Sequence, residues 1–272
     1  MRIVVSAVVL VFLLAAPNAW AVWGGQEDLT HTAVGAMYFD EDGDGVVTAD
    51  WLVCTGSYAG RSKDGQSDVI LMAGHCLPPA EEDIPASALR FSFDRDARDG
   101  VTGTIAAKGY HQMPGFGHDA GDRRDLGIVL LPAGSASGRP SVQLPRAGYL
   151  DALKASGALK FLTVDLVGYG AIPIWDEPGP TQFAFDGVRR SGTSTVIGLT
   201  ASKLRFIQNR NGVGTGSGLC FGDSGSPQLE RGTLRLLSVT NGGNGQCNSY
   251  NENYRVDTAV ARSFLGQFLT LP

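Results

Sequence analysis

The sequence is poor in the residues that usually hold metals. Its 272 residues include four histidines and four cysteines. There is no Cys-x-x-Cys and no pair of histidines at ligand spacing, which argues against a zinc site. Charged residues make up 18% of the chain and the net charge is −5. That balance leaves no basic footprint for nucleic acid or for an anionic membrane. No repeat of fixed period is present. Beyond the first residues, no stretch is long and apolar enough to span a bilayer.

The first residues read as a targeting signal. Arg2 supplies a positive start, Ile3 to Ala16 is an apolar run, and Ala19-Trp20-Ala21 fits the small-x-small pattern of a cleavage site. The run is short for an uncleaved anchor. Cleavage after Ala21 would make 1–21 a signal peptide and release a soluble chain beginning at Val22, secreted to an extracellular or periplasmic space. Such a compartment is oxidising, so Cys54, Cys76, Cys220 and Cys247 are expected to pair. Their spacing leaves the connectivity open.

What is abundant is glycine, at 37 residues, and apolar side chains, at 43%. Short β-rich runs recur between Gly, Pro and Asp clusters: 33–39, 46–57, 69–73, 88–93, 102–109, 126–131, 162–169, 192–198, 204–208 and 234–240. Many short strands with frequent turns predict an all-β sandwich or barrel. The stretch 134–157, rich in Gly, Ser, Pro and Ala, is expected to connect two halves. At the C-terminus, Val256, Val260, Phe264 and Phe268 recur every fourth residue, which predicts a helix with Asp257 near its start.

Three segments carry chemistry. In Cys220-Phe221-Gly222-Asp223-Ser224-Gly225-Ser226-Pro227, glycines flank a serine. Such a turn can aim the N–H groups of Gly222 and Ser224 at one point, as an oxyanion hole requires. Ala73-Gly74-His75-Cys76 places a histidine at the end of an apolar strand, where it can act as a positioned base. Asp125 leads directly into Leu126–Leu131, an apolar strand. A carboxylate half-buried there needs a partner, and an imidazole N–H suits it. Asp119 and Asp122 are alternatives that do not lead into such a strand.

These blocks, in the order His, Asp, Ser, resemble the three signature blocks of chymotrypsin-type serine proteases over most of 22–268. The resemblance implies two packed six-stranded antiparallel β-barrels (about 22–140 and 141–255) with a C-terminal helix (about 256–269). It implies a catalytic triad of His75, Asp125 and Ser224, and an oxyanion hole at Gly222 and Ser224. It implies disulfides Cys54–Cys76 and Cys220–Cys247. Polypeptides are the implied substrates and protein inhibitors the implied partners. A monomer is expected, and no cofactor. Val22-Trp23-Gly24-Gly25 is similar to the start of activated members, whose freed amino group pairs with the Asp before the serine, here Asp223.

In the family, the residue six before the nucleophile sits at the base of the primary pocket. That residue is Gly218, with Leu219 beside it, and neither is an acid. Ser238-Val239-Thr240 matches the segment that pairs with the substrate backbone. An uncharged side chain before the cleaved bond is therefore expected. Asp40, Asp42 and Asp44 begin like a calcium loop, but the twelfth position is Trp51, so an acidic Asp-Gly turn competes with calcium. His31, His111 and His118 are expected to be structural or at the surface. Two rival functions remain. A catalytically silent homologue would act as a protein-binding module. An acyl hydrolase of another fold would show Gly-x-Ser-x-Gly with its histidine last.

Overall fold

The computed structural model describes residues 22–47, 52–79, 82–96, 103–117, 123–175, 179–209 and 216–272. The expected signal peptide 1–21, with His118, Asp119, Asp122 and Trp51, lies outside the described residues. Among the described residues, no helix is long and apolar enough to cross a membrane.

Two antiparallel sheets of seven strands contain most of the strands among the described residues. The first comprises β2 (Val34–Phe39), β3 (Leu52–Arg61), β4 (Ser67–Met72), β5 (Leu89–Ser92), β6 (Ile105–Ala106), β7 (Gly109–Gln112) and β8 (Gly127–Pro132). It runs in the order β6-β5-β2-β3-β4-β8-β7 and curls into a half-barrel. The second comprises β1 (Gln26–Glu27), β9 (Thr163–Gly168), β12 (Arg190–Leu199), β13 (Lys203–Ile207), β14 (Pro227–Glu230), β15 (Leu236–Gly243) and β16 (Tyr250–Arg255). Here β9 pairs with both β14 and β12, which closes six strands into a barrel and leaves β1 appended to β12. Register shifts in β2/β3, β3/β4, β12/β13, β14/β15 and β15/β16 mark where the sheets bend. A small ribbon, β10 (Ile172–Ile174) and β11 (Gln182–Ala184), completes the strands.

The strand patterns follow from a core on each side of the first sheet. Every residue of β4 is buried, without the alternation of a half-exposed strand. Val69 and Leu71 face a core shared with the second barrel, while Ile70 and Met72 face the interior of the first. Val129 and Leu131 of β8 also face the first interior, and Ile128 faces the shared core. The second barrel encloses Val164, Leu166, Leu204, Phe206 and Leu237.

Two short helices differ from the sequence expectation. The connector 134–157 contains α1 (Tyr149–Ala155), which buries Leu150 in the second core. The C-terminal helix, α2, is Ala259–Leu265 and is shorter than the apolar spacing suggested. Thr258 caps it by accepting from the Ala261 N–H. Asp257 precedes it and pairs with Arg255 instead. Val256 is buried and non-helical, and Val260 is exposed. The face that α2 buries is Ala261, Phe264 and Leu265, against the shared core.

Candidate active site

Pairing of β4 with β8 brings the first two residues together. Met72 is opposite Gly127, so the chain leaving β4 and the chain entering β8 emerge at the same end of the sheet. His75 sits in a 3-10 turn, Gly74–Cys76, just beyond β4, and Asp125 lies just before β8. Asp125 holds His75 at two points. Its Oδ2 is 2.8 Å from the imidazole Nδ1, and its Oδ1 accepts from the His75 backbone N–H at 2.9 Å. Asp125 is 5% exposed, so this carboxylate is largely removed from water. Arg124, with φ of 49°, makes the turn that delivers it.

Ser224 comes from the other barrel, on the loop before β14. That loop is docked on β3 of the first half: the Thr55 N–H donates to the Ser224 carbonyl at 2.8 Å, and Thr55 Oγ1 donates to the Gly222 carbonyl at 3.0 Å. The disulfide Cys54–Cys76 ties the residue beside Thr55 to the residue beside His75. The disulfide Cys220–Cys247 closes the serine loop itself. Both pairings are those the resemblance implied.

Within that loop the N–H groups of Asp223, Gly225 and Ser226 bond to the carbonyls of Cys220, Thr240 and Asp223. Those of Gly222 and Ser224 have no acceptor among the described residues. Gly225 has φ of +83°, and a Cβ there would meet the Thr55 carbonyl oxygen at 2.2 Å and Ala73 N at 3.0 Å. Gly225→Ala should therefore destabilise the fold by about 2–5 kcal/mol through strain and overpacking. Urea denaturation checks this, and a loss under 1 kcal/mol (about one side chain's ordinary surface effect) would contradict it.

Beneath the serine, Asp223 is fully buried and accepts from the N–H groups of Gly170 and Cys220 at 2.8 and 2.9 Å. Burial pushes its carboxyl up to about 7, and the two N–H bonds only partly oppose that. Val22 is buried in the second core, and Trp23 is bridged to Gly218. In the 272-residue chain the Val22 nitrogen is still an amide, so it gives Asp223 no cation.

Two cavities flank Ser224, and His75 and Phe221 border both. One, of about 600 Å³, is walled by Cys54–Cys76, Leu77, Leu89, Phe39 and Phe185. The other, of about 280 Å³, lies toward β15 and β16. Leu219 and Thr240 line it. Gly218 does not, because the Trp23 indole covers it: a Cβ there would lie 2.3 Å from Trp23 Nε1.

Ser238 and Val239 are not at the cleft. Both are buried, and Ser238 Oγ donates to Gln228 Oε1 inside the barrel. The register explains the correction. Gly225 N–H donates to the Thr240 carbonyl and Thr240 N–H to that of Ser226, so the residues that pass the serine are Asn241, Gly242 and Gly243. Asn241 Nδ2 donates to the Asp125 carbonyl at 2.8 Å, a link that sequence reading missed. Gln208 and Asn251 were also missed, since nothing in their spacing relates them to Ser224.

His31 bonds to Asp28 at 2.8 Å, and His111 lies against the Phe268 ring. Asp40, Asp42 and Asp44 do converge, with one oxygen of each within 4.8 Å of the others. Both Asp40 oxygens, however, accept N–H groups from Gly43 and Gly45, and Arg90 lies 3.4 Å away. The turn is organised by its own hydrogen bonds and a cation already present.

The fold is that of the chymotrypsin-type serine proteases. No family model and no curated protein matches the chain in sequence. Among solved structures, HL collagenase is similar at 15% identity and TM-score 0.60, over 89% of this chain and 96% of that one. The Vibrio cholerae VesB protease gives 15% identity and TM-score 0.60, and the chain spans 65% of its length. HBP gives 14% and 0.59, over 89% of this chain and 94% of that one. A mutant of human heparin binding protein gives 15% and 0.60.

Proposed function

We propose that the protein is a secreted serine endopeptidase that cleaves peptide bonds through His75, Asp125 and Ser224. The observation that carries this is the two-point grip of Asp125 on His75, at the mouth of the cavities that Ser224 borders. In the proposed reaction, His75 Nε2 takes the Ser224 hydroxyl proton as Oγ attacks the peptide carbonyl. The N–H groups of Gly222 and Ser224 hold the resulting oxyanion. The imidazolium then protonates the leaving amine, leaving an acyl-enzyme, and water activated by His75 releases the acid. The structure shows no hydrogen bond between His75 and Ser224; catalytic bonds of this kind can tighten when substrate binds. The neutral lining of the smaller cavity supports an uncharged side chain before the cleaved bond.

A fluorophosphonate probe followed by mass spectrometry tests the proposal. An adduct on Ser224, absent in His75→Ala, is expected. A folded chain beginning at Val22 that gives no adduct would favour the binding-module alternative. One structural neighbour, heparin binding protein, is named for binding rather than cleavage.

Activation is proposed to follow from export. Cleavage after Ala21 would free the Val22 amine, which would pair with Asp223. In the uncleaved chain the Asp223 carboxyl is raised to about 7. A raised folded value means that its stabilising contribution is complete below the unfolded value, about 4, and is lost as pH rises through about 7. Thermal melts of an uncleavable chain should therefore fall in Tm from pH 4 to 7.5 more steeply than those of a chain beginning at Val22. Equal slopes would contradict the pairing.

A further inference from the structure

We propose that the smaller cavity selects a primary carboxamide, the side chain of glutamine or asparagine, before the cleaved bond, and that Gln208 and Asn251 set this choice. The inference rests on the peptidase reading and narrows its substrate class.

Gln208 is 0% exposed and Asn251 is 3% exposed, and both line the cavity beside Ser224. Gln208 Oε1 accepts from the Leu219 N–H at 3.0 Å, which fixes the amide plane. That leaves Nε2 as the free end, and it has no partner. Asn251 makes no side-chain hydrogen bond, and its Oδ1 is likewise buried and unpaired. The two amides converge on one stretch of wall. A Cβ placed on Gly243 would lie 3.4 Å from Gln208 Nε2 and 3.3 Å from Asn251 Nδ2.

Two buried amides at one place, each with an unpaired polar atom, are unusual, because a buried donor or acceptor without a partner is costly. A ligand that supplies both a donor and an acceptor removes that cost. Among the described residues, His75 at the mouth is the one titratable group lining the cavity. Asp223 is turned away, toward Gly168 and Gly170. Among the described residues, a buried lysine or arginine would thus find no acid, and a carboxylate no cation. An aliphatic side chain would fill space but leave Gln208 Nε2 and Asn251 Oδ1 unpaired, the situation in which a polar site discriminates most strongly. A carboxamide is neutral and offers two donors and an acceptor.

The test uses the secreted protein and one peptide series varied only before the cleaved bond: Gln, Asn, Glu, Met, Leu and Lys. Met is the informative control, because it matches Gln in length without its amide. The expected result is a kcat/KM for Gln or Asn at least about tenfold above Met, Leu, Glu and Lys. Asn251→Leu should remove most of that advantage. Gln208→Glu keeps an acceptor for Leu219 N–H, and should depress the Gln substrate while raising the Lys one. Equal rates for Gln and Met, or a preference for Leu, would overturn the inference. If no peptide in the series is cleaved, calorimetry of Ser224→Ala with peptides ending in Gln or Met separates the two proposals. Tighter binding of the Gln peptide would uphold the pocket assignment and sink the hydrolytic reading. Equal binding would sink both.

Discussion

Asp125→Asn is expected to lower kcat/KM by about 10⁴-fold, a magnitude taken from chymotrypsin-type triads. The reason lies in the two bonds that Asp125 makes. Its Oδ1 accepts the His75 backbone N–H, and its Oδ2 faces the imidazole Nδ1. An Asn side chain can keep one acceptor but presents an NH₂ at the other position. With its oxygen toward the backbone, the NH₂ would face Nδ1 and favour the tautomer with the proton on Nε2. His75 could then no longer accept the serine proton. The Asp125 backbone carbonyl, held by Asn241, is untouched, so the fold should survive. Single-turnover assays on a peptide substrate, with circular dichroism as the folding control, check this. A folded variant within tenfold of the parent would contradict the role given to Asp125.

Arg189→Met is expected to cost about 3–5 kcal/mol of stability. Arg189 is 3% exposed and joins three parts of the chain. Its Nε donates to Asp28 Oδ2 at 2.9 Å, and its Nη1 donates to the carbonyls of Val34 in β2 and of Phe93 just past β5. It precedes β12 of the second barrel, so it crosses between the halves that frame the cleft. Removing it leaves Asp28 buried at 2% exposure beside the mostly buried His31. The double variant Asp28→Asn, Arg189→Met should lose less than the sum of the single changes, because the two groups interact directly. Additive losses in urea melts would contradict this. Acid should expose the same cluster. Burial alone would raise the Asp28 carboxyl, but the bonds to His31 and Thr30 and the Arg189 charge outweigh it and hold it far below the usual range. Its contribution is therefore full above about pH 4 and is lost as pH falls toward the depressed folded value.

The strands that sequence reading located are those whose side chains announce themselves. β2, β4, β5, β8 and β9 carry apolar residues on one or both faces, because each borders a hydrophobic core. β16 escaped notice because polar Asn251 and Asn253 occupy inward positions where Val or Leu would have signalled a strand. α1 was obscured by the small residues around it. The C-terminal helix was overdrawn because Val256 and Phe268 continue its spacing while lying outside Ala259–Leu265, Phe268 in a tighter turn closed on the Leu265 carbonyl. The substrate-facing segment was misplaced by a few residues, since a strand's register depends on its neighbours and not on its own pattern.

The sequence by itself determined the chemistry on offer. It supplied a serine between glycines, a histidine and an aspartate at the ends of apolar runs, and cysteines beside two of them. These are local properties, because a turn needs its glycines and a strand its apolar residues wherever the chain goes. Only the tertiary structure decided which groups meet. Pairing of β4 with β8 sets Asp125 against His75. Docking of the serine loop on Thr55 brings the second barrel to the first. Closure of the second barrel turns Gln208, Asn241 and Asn251, distant in sequence, toward one cavity. Such contacts depend on register and burial across the whole fold, and no stretch of sequence encodes them alone.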